Sequence, residues 1–264
     1  MKIAFVILHY KNIKDTIECL KSIQGLKEQK EISTIIVDNH TLSKEEEKEL
    51  KDYTSDIILN KENLGFAKAN NIGCKYAIEK YHPDFLVVIN NDTLIEQKNF
   101  IEEINHCYQE THFDMMGPKI LTEEGDSVNP FPVYKTLQEV EERIHYHEKL
   151  EKIYKNTFLR NLLTLYLKIK RIGRKPVHLQ NGEKSLYDVA LHGCAIVFSK
   201  KYYEKYSDVF YKETFLYHEE EFLYYRKCHD NLISYYDANL EIIHKEGSSL
   251  NESFKNNNYS NKKI

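Results

Sequence analysis

Three clusters of polar residues along the 264-residue chain have the types and spacing needed for chemistry. They lie at Asn90–Asp92, at Glu219–Glu221 and at His244–Ser249. Carboxylate and amide oxygens suit a hard divalent cation that also binds phosphate oxygens. Crowded carboxylates raise one another's pKa, so one of them can act as a general base. A histidine can ligate a metal or contact a phosphate.

Each cluster also has an ordinary structural explanation. Asn and Asp commonly end strands in turns, acidic residues are favoured in the first turn of a helix, and a loop histidine is usually solvated. None of the three clusters indicates a function when it is taken alone. Their positions relative to the predicted strands and helices are therefore the evidence that matters.

The first hundred residues alternate between strand and helix patterns. Four apolar runs predict strands: Ile3–Leu8, Thr34–Val37, Asp56–Leu59 and Phe85–Ile89. Three intervening segments predict helices: Asp15–Ile23, Ser43–Asp52 with a capping box at Ser43 and Glu46, and Phe66–Lys80. This alternation is typical of βαβ units and a mostly parallel sheet.

Polar residues follow three of these predicted strands. They are His9–Tyr10, Asp38–Asn39 and Asn90–Asp92. In open α/β sheets, ligands bind beyond the carboxyl ends of the strands. The residues alone therefore predict a ligand cleft lined by Asp38, Asn39 and Asp92.

The second half of the chain begins with a different pattern and then returns to α/β. Tyr134–Leu167 contains no Gly or Pro and predicts helix. Later segments predict strands at Val189–Leu191, Ala195–Phe198, Leu232–Tyr236 and Leu240–Ile243, and a helix at Glu219–His229. The polar tail 251–264 is expected to be flexible.

The order of these motifs resembles family 2 glycosyltransferases of the GT-A fold, in particular the bacterial rhamnosyltransferase-like group. The resemblance covers about 1–130 and 185–250. The matching segments are Val6–Asn12, Thr16–Ile23, Ile36–Asn39, Asn63–Gly73, Ile89–Thr93, His192–Ala195, Phe215–Phe222 and His244–Ser249. It implies a GT-A domain over 1–250, with one Rossmann-like, mostly parallel sheet flanked by helices. A helical insertion at 134–180 interrupts that domain.

The resemblance also implies a donor site. The residues it places at the nucleotide are His9, Asp38, Asn39, Asn63, Gly65, Asn71 and Asn91. Gly65 would permit a tight turn at which the backbone approaches the ligand. Asp92, with help from His244, would hold a Mn²⁺ or Mg²⁺ ion at the donor diphosphate. Asn90 occupies the first position of the metal motif, so Asp92 is its one carboxylate.

The catalytic base implied by the resemblance is Glu220, with Glu219 and Glu221 as rivals because the register within the three glutamates is open. Gly193, Cys194 and Glu219 would line the donor-sugar or acceptor pocket. The implied reaction is inverting transfer from a UDP- or dTDP-sugar. Its acceptor would be a saccharide or lipid-linked saccharide in bacterial surface polysaccharide synthesis.

The stretch 149–175 carries nine Lys or Arg residues against one Glu, a net charge of +8. Its apolar stripe predicts an amphipathic helix attracted to anionic lipid. Alternatively, the stripe packs on the catalytic domain or on a second subunit, so an oligomer is compatible with the sequence. A location in the cytoplasm, peripheral to the inner face of the membrane, is expected.

Composition argues against several other classes of protein. The net charge of −4 disfavours a nucleic-acid binder, and no apolar run is long enough to predict a spanning helix. The apolar start predicts a buried strand rather than a signal peptide. Five cysteines without a CxxC pair favour a reducing compartment. Dinucleotide and P-loop fingerprints are absent from the sequence.

Two alternative functions can be compared with the leading one. A sugar-nucleotide pyrophosphorylase would need a Gly-rich basic loop after the first strand, which His9–Asn12 does not supply. A degenerate GT-A domain could instead serve as a non-catalytic module that binds saccharide or nucleotide sugar. The carboxylates of Asp38, Asp92 and Glu220 argue against that module.

Overall fold

In the computed structural model, the described residues are 1–27, 31–122, 125–133, 145 and 184–245. They form one sheet whose strands are β1 (Ile3–His9), β2 (Ile32–Asp38), β3 (Asp56–Leu59), β4 (Phe85–Asn90), β5 (Thr93–Leu94), β6 (Met115–Thr122), β7 (Leu186–Tyr187), β8 (Ala195–Ser199) and β9 (Ser234–His244). The strand order is β3-β2-β1-β4-β8-β6-β9-β5, and β7 also pairs with β9.

Helices connect these strands and cover both faces of the sheet. They are α1 (Ile13–Gln24), α2 (Lys44–Leu50), α3 (Gly65–Tyr81), α4 (Phe100–Thr111), α5 (Lys200–Lys205) and α6 (Glu219–Asp230). One apolar core packs α1 and α4 against the sheet, and the other packs α3, α5 and α6. The prediction of a single sheet flanked by helices is therefore confirmed.

The first half of the sheet follows the sequence patterns closely. Strands β3, β2, β1 and β4 are all parallel, as their βαβ connections require. Their predicted runs extend by no more than two residues at either end. The predicted capping box also forms, because Ser43 and Glu46 each bond the other's main-chain N–H.

The second half of the sheet is mixed. Strands β6 and β9 pair in parallel, whereas the pairings of β8 with β4 and β6, of β5 with β9 and of β7 with β9 are antiparallel. Parallel pairing thus dominates on the side of the sheet that contains β1.

In this second half two predicted strands are parts of one strand, and a third predicted strand was wrong. The segments Leu232–Tyr236 and Leu240–Ile243 belong to one strand, β9, whose register shifts opposite Pro118 and Lys119. At this irregularity the side chain of Asp237 accepts a hydrogen bond from the Asn239 N–H, so polar residues mark a bulge rather than a turn. Val189–Leu191 is not a strand, since only Ala190 makes an isolated bridge.

Strand β6 was not predicted at all. It contains Gly117 and Pro118, which sequence patterns normally place outside a central strand. Pro118 has no N–H to donate to a neighbouring strand. The pairing of β6 with β9 shifts its register between this residue and Lys119. The amide of Asn129 donates to the Pro118 carbonyl (2.8 Å) and so satisfies part of the interrupted ladder.

Three predictions made from the sequence fall, except for residue 145, on residues outside the described part of the chain. They are the Tyr134–Leu167 helix, the charged stretch 149–175 and the tail 251–264. Among the helices of the described residues, none combines the length and apolar character that crossing a bilayer requires.

The segment 206–218, which joins α5 to α6, is fixed to the domain through its backbone. The side-chain amide of Asn71 donates to the Phe210 carbonyl (2.9 Å) and accepts from the Phe210 N–H (2.8 Å). The Arg226 guanidinium donates to the carbonyls of Asp208 (3.1 Å) and Val209 (2.8 Å). We call residues 206–218 the anchored segment.

Gly65, the first residue of α3, lets the anchored segment approach the domain. Its φ of +77° lies in the left-handed region, and a Cβ built there would stand 2.0 Å from the Phe215 carbonyl oxygen. The next N–H, that of Phe66, donates to the same oxygen (2.8 Å). A side chain at residue 65 would therefore displace the anchored segment.

The Gly65→Ala substitution tests this close approach. Gly125 is a matched control because its φ is +84° and a Cβ there meets nothing within 4 Å. We expect Gly125→Ala to cost about 1–2 kcal/mol of unfolding free energy from backbone strain alone. Gly65→Ala should cost about 1–3 kcal/mol more, because it adds a steric clash. Urea unfolding measures both, and equal losses would contradict the close approach.

Candidate active site

Asp92 and His244 meet at one end of the sheet although 152 residues separate them. Strand β5 pairs with the end of β9 so that Thr93 lies opposite His244, and the Lys245 N–H donates to the Asp92 carbonyl (3.0 Å). Nε2 of His244 then lies 3.2 Å from Oδ1 of Asp92. Both side chains are buried. The structure thus brings together the two residues predicted to hold a metal.

The electrostatics of this pair favour opposite charges. Burial alone would lower the pKa of His244, but its contacts with Asp92 and Cys194 outweigh burial and raise the pKa to about 11. The Asp92 contact lacks hydrogen-bond alignment, which leaves Oδ1 of Asp92 buried without a hydrogen-bond partner. His244 is therefore a positively charged imidazolium, and it lies beside an Asp92 oxygen that lacks a hydrogen bond.

A divalent cation at this pair would have to replace the proton of His244, because a histidine ligates metal as the neutral imidazole. Among the described residues, no three His, Cys, Asp or Glu side chains converge as a preformed metal cage. Mg²⁺ usually needs only one or two protein carboxylates, since substrate phosphates and waters complete its octahedron. Asp92 and His244 would supply the protein's share of such a shell.

His192, which was not predicted as a site residue, packs beside this pair. Its ring centroid is 5.9 Å from that of His244. Burial and the neighbouring His244 lower the pKa of His192 to about 4, so it is neutral. Its Nδ1 accepts from the Cys194 N–H (3.2 Å). The signal for it in the sequence was its place in the His192–Cys194 motif.

Glu220 is tied to the same motif from the other side. The Gly193 N–H donates to Oε1 of Glu220 (3.0 Å), and a Cβ at Gly193 would lie 2.8 Å from that oxygen. Burial raises the pKa of Glu220 above the ordinary glutamate value. The Cys194 carbonyl in turn accepts from the Asn90 N–H (2.9 Å). The His192–Cys194 motif thus connects the candidate base to the strand that ends at Asp92.

The two rival glutamates have different surroundings. Glu219 is buried and accepts a hydrogen bond from Thr214 Oγ1 (3.3 Å), and burial raises its pKa. Glu221 lies 3.6 Å from Nδ1 of His218 and is more exposed to solvent. Of the three carboxylates, Glu220 is the one held by the N–H of Gly193.

The ends of β1 and β2 form a second part of the site. His9 lies opposite Asp38 in the register of these strands. Nδ1 of His9 is hydrogen-bonded to Thr16 Oγ1 (2.7 Å), which also accepts from the Asn91 amide (3.0 Å). Burial lowers the pKa of His9, and its Nε2 has no hydrogen-bond partner. Oδ1 of Asp38 accepts from the Thr41 N–H (2.9 Å).

Three other predicted nucleotide residues build the turn before α3. The Asn39 amide donates to Oδ1 of Asn63 (2.7 Å) and accepts from the Leu64 N–H (2.8 Å). Oδ1 of Asn63 also accepts from the Gly65 N–H (2.9 Å). The backbone that approaches Gly65 is that of Phe215.

Not every predicted site residue presents its side chain to an open cleft. Asn71 uses its amide to hold Phe210, and Cys194 is buried against His244. Their predicted ligand contacts stay predictions, as do those of the other nucleotide residues. The structure does assemble the predicted groups in two neighbouring sets. One lies at the ends of β1 and β2, and the other surrounds the His192–Cys194 motif.

Known proteins share both sequence and fold with this chain. A family profile described as "Glycosyl transferase family 2" matches residues 4–205. The low-salt glycan biosynthesis hexosyltransferase Agl10 of Haloferax volcanii is 29% identical over 134 residues, which are 49% of this chain and 40% of that protein. The chain thus spans less than half the length of this relative.

Two solved structures share the architecture at low sequence identity. S. aureus TarS 1–349 aligns with a TM-score of 0.55 and 13% identity, covering 96% of this chain and 63% of that one. GalNAc-T7 with UDP, GalNAc and Mn²⁺ aligns with a TM-score of 0.57 and 12% identity, covering 94% of this chain and 45% of that one. With the profile match over 4–205, these likenesses show that the chain has the GT-A fold and belongs to glycosyl transferase family 2.

Proposed function

We propose that this chain is an inverting glycosyltransferase that moves a sugar from a nucleotide-diphospho-sugar to a saccharide or lipid-linked saccharide. The observation that carries the proposal is the fixed carboxylate of Glu220, bound to Gly193 and connected through Cys194 to the Asp92 strand end. Membership of glycosyl transferase family 2 supports it, as does the hexosyltransferase name of the Haloferax volcanii relative.

Glu220 has the properties that a general base needs. The Gly193 N–H fixes one carboxylate oxygen, while burial raises the pKa and so makes the carboxylate a stronger proton acceptor. Glu220 would remove the proton from a hydroxyl group of the acceptor saccharide, and the oxygen of that hydroxyl would then be the nucleophile. Attack opposite the leaving diphosphate inverts the anomeric carbon. The carboxylate then carries the proton until solvent removes it.

Asp92 and His244 would hold the Mn²⁺ or Mg²⁺ ion predicted from the sequence. A bound cation of this kind supplies positive charge where the leaving diphosphate gains negative charge. The unsatisfied Oδ1 of Asp92 is the atom of this chain that supports the assignment. GalNAc-T7, whose structure contains Mn²⁺, has the same fold.

The finer assignments belong to the same proposal. His9, Asp38, Asn39, Asn63, Gly65, Asn71 and Asn91 are proposed for the nucleotide, which is UDP or dTDP, and Gly193, Cys194 and Glu219 for the donor-sugar or acceptor pocket. A rhamnosyltransferase-like role in bacterial surface polysaccharide synthesis, at the cytoplasmic side of a membrane, is proposed from the resemblance of the motifs.

Replacing Asp92 with Ala tests the metal assignment. We expect Mn²⁺-dependent binding of UDP or dTDP to weaken more than about tenfold, since even indirect metal contacts contribute that much. Thermal shift with each nucleotide, with and without Mn²⁺, measures the stabilisation by bound ligand. Asp52→Ala, at an exposed residue, is the matched control. An undiminished Mn²⁺-dependent shift in Asp92→Ala would refute the assignment.

Replacing Glu220 with Gln tests the base. We expect turnover of the preferred nucleotide sugar to fall about 10²–10⁴-fold while nucleotide binding persists, because the amide cannot accept the proton. Wild-type activity should rise with pH as Glu220 ionises, with a midpoint above the ordinary glutamate pKa. Glu219→Gln and Glu221→Gln are the comparison variants. The register is wrong if one of these loses turnover and Glu220→Gln keeps it.

The charged stretch 149–175 is proposed to bind anionic lipid. Its net charge of +8 supports this, although the stretch lies outside the described residues. Neutralising Lys168, Lys170, Arg171 and Arg174 to Gln should reduce flotation with anionic liposomes. Four exposed lysines elsewhere, Lys44, Lys48, Lys51 and Lys75, form the control set. Equal flotation of both variants would favour packing of this stretch on protein.

A further inference from the structure

Large apolar side chains are exposed immediately before the candidate base. Phe215 and Tyr217 are 60% and 62% exposed, and three neighbours are also exposed: Tyr211, Leu216 and Phe222. We call these five residues the aromatic platform. Single exposed apolar residues are common on protein surfaces, but a contiguous group commonly marks an interaction site. Within this group, the rings of Tyr211 and Phe222 stack with centroids 4.4 Å apart.

The backbone under the aromatic platform is fixed even though its side chains face solvent. The Phe66 N–H holds the Phe215 carbonyl, and Asn71 holds both main-chain groups of Phe210. Tyr217 and His218 have φ values of 70° and 73°, a left-handed conformation that costs non-glycine residues about 1–3 kcal/mol each. A rigid support for exposed rings reduces the entropy lost when a ligand binds.

The aromatic platform shares a boundary with the candidate base. Tyr217 is followed by His218, the N-cap of α6, and then directly by Glu219 and Glu220. Phe66, which holds Phe215 through its N–H, also has its ring edge 3.9 Å from the Cβ position of Gly193. Gly193 is the residue that binds the Glu220 carboxylate. The aromatic platform is therefore linked to Glu220 along the chain and through the contacts of Phe66.

Charge around the aromatic platform distinguishes between possible ligands. In the sequence, Glu213 and Glu219–Glu221 lie among the platform residues, while the neighbouring Lys212 is paired with Asp208 (3.3 Å). This excess of carboxylates near the platform opposes anionic lipid and phosphate. A neutral sugar suits it, because the C–H face of a pyranose packs on an aromatic face and its hydroxyls donate to carboxylates.

We propose that Phe215 and Tyr217 bind the acceptor, stacking on its sugar ring so that one of its hydroxyls reaches Glu220. This inference rests on the proposed transferase function and specifies its acceptor subsite. The ligand class is a neutral saccharide, either free or at the end of a longer acceptor. The two rings act as specificity-determining residues, and Glu220 performs the proton transfer.

The chain contains no tryptophan, so one substitution can place a single fluorescent reporter on the aromatic platform. Phe215→Trp is that reporter. Tyr187→Trp is its matched control, because Tyr187 on β7 is an aromatic residue of similar exposure (55%) outside the aromatic platform. The probes are the methyl glycosides of glucose, galactose and N-acetylglucosamine, each with saturating UDP or dTDP and Mn²⁺, and vesicles of anionic phospholipid.

We expect at least one methyl glycoside to change the emission of Phe215→Trp saturably and to leave Tyr187→Trp unchanged. A change with vesicles alone would identify a membrane contact and overturn the proposal. No saturable response to any glycoside would overturn it as well. These readings report ligand binding directly, and they do not depend on turnover.

A second measurement uses the competition between sugar and water as acceptor. With UDP-hexoses and dTDP-hexoses tried as donors, the ratio of transfer to the methyl glycoside over transfer to water should fall about tenfold in Phe215→Ala and Tyr217→Ala, the effect expected from losing one stacked ring pair. An unchanged ratio would overturn the proposal. If the wild-type protein transfers sugar to neither acceptor, the proposed function fails, whereas the fluorescence experiment still decides whether the aromatic platform binds sugar.

Discussion

The register of β1 against its two parallel neighbours is the constraint on which the rest of the structure depends. Strand β1 is hydrogen-bonded to β2 on one side and to β4 on the other, and helices cover both of its faces. Its register places His9 opposite Asp38, and Leu8 opposite Asn90. A slip of one residue would move the large side chains of Ile3, Phe5 and Ile7 to the face that packs Ala4 and Val6. The different packing of the two faces therefore favours one register and keeps the polar strand ends at one edge.

The second half of the chain completes the site through contacts of long sequence separation. Strand β9 brings His244 to Asp92, and Lys245 then forms ion pairs with Asp15 and Glu18 of α1. These contacts close the sheet onto the first helix. Burial of the Asp92–His244 pair then makes each charge depend on the other, because either one alone would be costly to bury.

The sequence predicted the parts of the structure that local patterns control. Strands β1 to β4 are continuous apolar runs. Ser43 and Glu46 have the spacing of a capping box, which is typical of a helix N-terminus. By contrast, β6 carries Gly117 and Pro118, and it is a strand because neighbours on both sides supply hydrogen bonds.

Tertiary contacts explain what the sequence could not predict about the site. Glu220 accepts a hydrogen bond from Gly193, and His192 packs on His244. Both contacts join segments that are distant in the sequence and that only the fold brings together. Asn71 shows the same limit, because its partner Phe210 is 139 residues away. Gly65 was predicted to let the backbone approach a ligand, whereas the group that approaches Gly65 in the structure is the main chain of Phe215.

The contact between Gly65 and Phe215 has an evolutionary consequence. The stretch from Asn63 to Asn71 shapes one end of the predicted nucleotide site, and the same stretch holds the anchored segment through Phe66 and Asn71. A side chain at residue 65 could be accommodated only if the segment near Phe215 moved away. Substitutions near Phe215 and substitutions in residues 63–71 are therefore expected to depend on each other, so a related chain that changes one stretch would need a compatible change in the other.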